Sequence, residues 1–121
     1  MLGRQLTFVA TPDKDGIINV GPKGSTIVID DDTLAYAEWA GEKTLLNLQQ
    51  NPHVAVLIFD LEKKEGYQFK GGAEFVQEGS LFDGISESQE ERKRPLPKTV
   101  VKIYIGEIYT FKTGVPSARV A

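Results

Sequence analysis

The chain contains no cysteine. Disulfides, thiolate-held zinc, iron–sulfur clusters and thiol nucleophiles are therefore excluded. It has a single histidine, His53, so no metal site built on several imidazoles can form. The ordinary reading of that residue is a surface position at the start of a strand. No apolar run approaches the roughly 20 residues that a membrane-spanning helix requires. The first residues show no signal-peptide pattern, and a cytoplasmic protein is the expectation. An excess of positive charge is also missing. The net charge is -3 and the pI about 5.2, which gives no electrostatic footprint for duplex DNA or RNA. The one basic cluster, Arg92-Lys93-Arg94, follows Glu90-Glu91 and reads as a solvated charged face. No internal repeat, low-complexity segment or linker interrupts the chain.

What is present is a soluble, globular composition over 121 residues, 40% hydrophobic and 26% charged. That length suggests one domain, residues 1–121, able to bury a core without staples. Most of the chain alternates as strands do. Leu6 to Ala10 and Ile17 to Val20 flank a Pro- and Gly-containing turn and predict a hairpin. Thr26 to Asp30 continues extended, Asp31-Asp32 turns, and Thr33 to Trp39 forms a further strand. His53 to Phe59 is the most apolar run and fits a central buried strand. Tyr67 to Val76 is a long strand interrupted by Gly71-Gly72, a pair that predicts a bulge or barrel corner. Gly79 to Glu91 carries Leu81, Phe82 and Ile85 at helical spacing, with Ser80 as a candidate N-cap and Pro95-Leu96-Pro97 as a stop. Thr99 to Phe111 alternates as a last strand, and the small, polar tail from Lys112 to Ala121 reads as loose. About six strands, one or two short helices and hairpin-like connections predict a mainly β chain closed into a small barrel.

Two stretches stand out chemically. Gly41 to Pro52 reads as a short amphipathic helix. Leu45 and Leu48, flanked by Leu46, give it an apolar side, and Asn51-Pro52 ends it. Its first turn combines orphan backbone N–H groups with the Lys43 ammonium and the Thr44 hydroxyl, donors suited to a phosphate. Gly21-Pro22-Lys23-Gly24-Ser25 is the other stretch. Proline inside a β region argues for an edge or bulge, and two glycines argue that something approaches the backbone closely. Each has a plainer reading, a surface helix and a simple bulge.

The order of these stretches resembles the split-barrel FMN-binding proteins of the pyridoxamine 5'-phosphate oxidase-like family. A strand ends in Asn19 to Ser25 and a second in Tyr36 to Trp39. A Lys43-Thr44 helix start follows, then Asn47 to Pro52 with an apolar strand, a Gly66 to Gly71 strand, and Val101 to Tyr104 in the last strand. The resemblance runs from about Leu6 to Thr113 and is nearest to the short predicted flavin-nucleotide-binding members. It implies a six-stranded antiparallel, Greek-key split barrel and a homodimer with FMN in a groove at the dimer interface. The deazaflavin F420, which also carries a phosphate and a tricyclic ring, is the alternative cofactor.

Carried onto this chain, the resemblance places Lys43 and Thr44 at the phosphate. It places Gly21, Pro22, Lys23, Gly24 and Ser25 against the isoalloxazine ring through backbone groups, and Tyr36, Ala37 and Glu38 beside ribityl chain and ring. Lys23 is then either solvated or set over the N1–C2 edge of the flavin. The true oxidase has Arg, Lys and Arg where Gly21, Thr26 and Glu42 stand here, so three cationic contacts are absent. Its C-terminal substrate-binding residues have no match, and pyridoxamine phosphate is not the expected substrate. The implied function is an FMN-binding redox protein or oxidoreductase. A non-catalytic flavin- or nucleotide-binding module and a bare oligomerisation module are the alternatives.

Overall fold

A computed structural model describes residues 5–39 and 43–121. In chain order it contains β1 (Gln5–Pro12), β2 (Ile18–Pro22), β3 (Ile27–Asp30), β4 (Thr33–Glu38), α1 (Lys43–Gln50), β5 (His53–Asp60), β6 (Glu65–Val76), α2 (Ser80–Glu91) and β7 (Thr99–Lys112). Among the described residues the strands form one antiparallel sheet in the order β2-β1-β5-β6-β7-β4-β3. Among those residues no helix is long and apolar enough to cross a membrane.

Among the described residues the sheet has seven strands rather than six, and its two edges are not hydrogen-bonded to each other. The extra strand arises because the extended stretch after Ile17 divides. β2 pairs with β1 at one edge, while β3 pairs with β4 at the other. Laid flat, seven strands would put these edges about 29 Å apart. The link from Pro22 to Ile27 can span at most about 18 Å. The sheet must therefore curl until its edges approach, which is how an open sheet acquires a barrel shape.

Hydrogen bonds hold the link in place. The Lys23 backbone N–H donates to the Thr7 carbonyl on β1 at 3.0 Å, and the Ala37 N–H on β4 donates to Ser25 Oγ, also at 3.0 Å. The two halves of the sheet are thus joined through one segment.

Alternation builds the core. Val9, Leu34, Tyr36, Leu48, Val54, Val56, Val101 and Ile103 fill the curled interior. Ala35, Ala37, Ile85 and Val100 form a second cluster under α2. β4 is buried on both faces, Leu34 and Tyr36 belonging to the first cluster and Ala35 and Ala37 to the second. α1 turns Leu45 and Leu48 inward, whereas Leu46 is half exposed and does not extend the apolar side. The helix is anchored by Asn47, whose Nδ2 donates to the Thr11 carbonyl at 3.1 Å and to Thr11 Oγ1 at 3.2 Å. Asn51 Oδ1 then accepts the His53 N–H, turning the chain into β5. Gly41, expected just before α1, and Glu42 lie outside the described residues.

Three local expectations need correction. Ser80 is the first residue of α2 rather than its cap. The capping position is Gly79, at φ 96°, a conformation only glycine adopts readily, and no side chain caps the helix. The tail is not loose. The N–H groups of Thr110 and Val120 donate to Ala118 and Ile108, and Arg119 pairs with Glu107, so residues 115–121 fold back along β7. Lys23 is buried rather than solvated. The paired glycines behave as expected, with a register shift between Lys70 and Gly71.

That bulge makes a sharp prediction. A Cβ on Gly71 would lie 1.9 Å from the Tyr104 carbonyl oxygen, whereas one on Gly72 would meet nothing within 4 Å. Gly71→Ala should lower the urea-unfolding free energy by about 1–3 kcal/mol, the usual cost of forcing atoms into filled space, and Gly72→Ala should leave it nearly unchanged. The tail supplies a pH test. The Tyr109 hydroxyl bonded to Glu107 holds that carboxyl below its ordinary value and raises the tyrosine above its own. The lowered group contributes stability above the unfolded carboxylate pKa, and this is lost as pH falls through the folded value. The raised group contributes below the unfolded tyrosine pKa, and this is lost as pH rises through the folded value. Protection of the amides of residues 117–121, taken relative to the intrinsic exchange rate at each pH, should therefore be greatest between these limits and fall at both extremes.

Candidate functional site

Two corners of the molecule hold the ten residues singled out in the sequence. The first is where the end of β2 meets the start of α1. Lys43 is exposed at the first turn, while Thr44 is buried. Asn19 Nδ2 on β2 donates to Thr44 Oγ1 at 3.2 Å. A Cβ on Gly21 would stand 3.2 Å from the same oxygen, so glycine lets strand and helix approach. Asp13, at the β1–β2 turn, completes the surroundings. Its carboxyl is held below the usual range, chiefly by the Ile17 N–H and to a smaller degree by Lys43. With the first-turn N–H groups that a helix leaves unpaired, the corner gathers an ammonium, a hydroxyl, a carboxamide and backbone donors, with the Asp13 carboxylate near the ammonium. That is the donor set of an anion site.

The second corner is the link and the strand it crosses. Lys23 Nζ lies 3.1 Å from Glu38 Oε1, with the two side chains 7% and 0% exposed, and 5.6 Å from the centre of the Tyr36 ring. This ammonium is thus engaged inside the chain. Ser25 and Ala37 meet through the hydrogen bond already described. The alternation of β4 separates the expected neighbours, because Tyr36 and Glu38 face the interior with Lys23, whereas Ala37 lies under α2. Pro22 and Gly24 are exposed along the link. The ten residues therefore form a buried brace and a donor corner, joined by the Gly21–Ser25 backbone, rather than one continuous side-chain surface.

Two aromatic residues lie away from these corners: Trp39 packs against the α2 cluster and donates from Nε1 to the Pro95 carbonyl at 3.1 Å. Tyr104 is 45% exposed and donates to Glu74. Asn19 was not picked out from the sequence. The available signal was a lone carboxamide inside the apolar run Ile17-Ile18-Asn19-Val20.

A larger depression of about 540 Å³ lies over the β1, β5, β6 and β7 segments. It is bordered by Ala10, Pro12, Ile18, His53 and Ala55, with Gly71, Gly72 and Gly106 nearby. Around the adjoining edges Ile17, Ile18, Val20 and Val28 are all more than 60% exposed.

A curled antiparallel sheet of seven strands, with α1 set against the β1–β2 hairpin, places the protein among the split-barrel folds. The sequence matches the pyridoxamine 5'-phosphate oxidase family over residues 2–112, and the chain belongs to that family. An uncharacterized protein of Methanocaldococcus jannaschii is 36% identical over 116 residues, covering 93% of this chain and 77% of that one. The crystal structure of HupZ from Group A Streptococcus superposes with a TM-score of 0.86 at 32% identity, covering 97% of this chain and 90% of the other. An FMN-binding protein from Syntrophomonas wolfei shares the fold with a TM-score of 0.77 at 22% identity, over 91% and 78% of the two chains.

The buried brace is testable by a double-mutant cycle. Breaking a buried pair from one side typically costs about 3–5 kcal/mol, whereas apolar replacement of both partners is often close to neutral. Lys23→Met and Glu38→Leu should each destabilise by about that much in chemical unfolding, and the double variant should recover most of the loss.

Proposed function

We propose that the protein is an FMN-binding flavoprotein, working as a homodimer with the flavin at the subunit interface. The observation that carries this reading is the approach of Gly21 to Thr44 at a helix start bearing Lys43. In this reading Lys43, Thr44 and the first-turn N–H groups hold the phosphate. The Thr44 oxygen accepts from Asn19, which leaves its own proton to donate. The backbone of Gly21, Pro22, Lys23, Gly24 and Ser25 forms the wall for the ring. Tyr36, Ala37 and Glu38 border the site from the adjacent strand and act from behind that wall. Lys23 and Glu38 keep the wall rigid, so the ring meets main chain rather than a mobile side chain.

The fit to family members with more cations is incomplete, since neutral Gly21 and Thr26 stand at two of their basic positions. Backbone donors must carry a larger share. The exposure of apolar residues on β2 and β3 supports the homodimer, because monomers seldom leave such strand edges uncovered. When bound, FMN would supply the hydride or electron chemistry, and the chain's residues bind and orient it. F420 offers the same phosphate and ring system and is the second cofactor consistent with the corner.

Purified protein should be yellow and release a compound with the mass of FMN. A charge-assisted hydrogen bond is worth about 1.5–3 kcal/mol, so Lys43→Ala should weaken FMN binding by about 10- to 100-fold in fluorescence titration. Bleaching of the bound flavin by NAD(P)H at a useful rate would mark an enzyme, and its absence a binding module. A colourless protein whose thermal midpoint is unmoved by millimolar FMN would overturn the reading, because a ligand of the native state must raise that midpoint.

A further inference from the structure

On the other side of the link from the donor corner, α2 and the Ser25–Ile27 segment enclose a small cavity of about 180 Å³. Gln89 lines it. This residue is 1% exposed, yet its Oε1 has no hydrogen-bond partner among the described residues. A buried carboxamide oxygen left unpaired is costly, and native proteins rarely tolerate one without a reason. One turn further along, Arg92 also lines the cavity and makes no ion pair among the described residues. Ser25 borders the opposite wall. Its oxygen accepts the Ala37 N–H, which leaves the hydroxyl proton available to the cavity. Ile27, Leu81 and Ile85 supply the apolar part of the lining, and Ser80 and Ser88 of α2 also border it.

We infer that this cavity is a binding site for a small carboxylate with an apolar body and one O–H or N–H donor. The guanidinium of Arg92 matches a carboxylate through paired N–H groups. Oε1 of Gln89 is closed off in the ligand-free chain, and a turn of the side chain brings it to accept the donor on the body, while the isoleucines cover what lies between. Size limits the ligand. The cavity holds about six waters by liquid volume and falls below the ~300 Å³ at which drug-sized pockets begin, so a single ring or a short chain fits and a nucleotide does not. The site stands independently of the flavin. Only its relation to the flavin rests on the reading above, for Ser25 belongs to both walls and would bring the bound acid beside the ring as a reaction partner.

The probe is 4-hydroxybenzoate, with benzoate and 4-methoxybenzoate as controls lacking the donor. Binding is followed on the protein as purified by the chemical shifts of backbone amides, and flavin content is measured on the same sample. The expected result is saturable shifts confined to α2 and the Ser25–Ile27 segment, at least tenfold weaker for both controls. Gln89→Leu should abolish the preference for the hydroxylated probe while raising the thermal midpoint of the ligand-free protein, since it removes an unpaired buried oxygen. Arg92→Gln should weaken all three acids alike. Equal binding of the three acids, shifts elsewhere on the chain, or an unaltered preference in Gln89→Leu would overturn the site. If 4-hydroxybenzoate binds as described to protein that neither contains nor takes up FMN, the flavin reading fails and the cavity stands.

Discussion

Four residues, Lys23 to Thr26, must join the two outer edges of a seven-stranded sheet. A flat sheet cannot satisfy that length, so the chain curls, and curling gives it an interior. The link is held at three points that differ in kind: a main-chain bond to β1, a hydroxyl on β4, and an ammonium on a buried carboxylate. The last is the most demanding, since either charge alone in that interior would be strongly unfavourable. Lys23 and Glu38 therefore act as a brace that makes one closed arrangement preferable to the many an open sheet could adopt.

Function follows from where the brace leaves the main chain. Lys23 is committed inward, so the outer side of Gly21 to Ser25 is largely backbone. Gly21 permits the first turn of α1 to come close, and the donors of that turn then stand at the end of the strand. On the far side, Ser25 and Ile27 face α2 across a small cavity. The same short link thus borders both the donor corner and the α2 cavity, and its rigidity is shared between them. The apolar residues left on β2 and β3 sit at the two edges that the link connects without pairing.

Much of the fold was legible locally. Alternation marked the strands, the Asn51-Pro52 stop marked the end of α1, and Gly71-Gly72 marked the bulge. What was not legible depended on distant partners. The residues from Ile17 to Asp30 look like a hairpin arm followed by an extension, and nothing local says that β2 and β3 take opposite edges. The tail looks disposable by composition, yet its carbonyl and N–H groups find β7. Of the site, Gly21, Lys43 and Thr44 were visible from residue type and order. The pairing of Lys23 with Glu38, 15 positions away, was not, because Lys23 read as solvated or set over the flavin and Glu38 as a residue beside the ribityl chain, and no local pattern joins them. Asn19 and Gln89 were hidden for the same reason: a carboxamide has little pattern, and only its burial makes it conspicuous.

The central claim is that Lys23 serves the fold while the α1 corner serves the ligand. A crystal structure of the protein soaked with FMN tests it most directly. The expected result is a phosphate within hydrogen-bond distance of Thr44 Oγ1 and the first-turn amides, with Lys23 still on Glu38 and the ring against the Gly21–Ser25 main chain. A phosphate bound elsewhere, or Lys23 swung out of the interior onto the flavin, would contradict it.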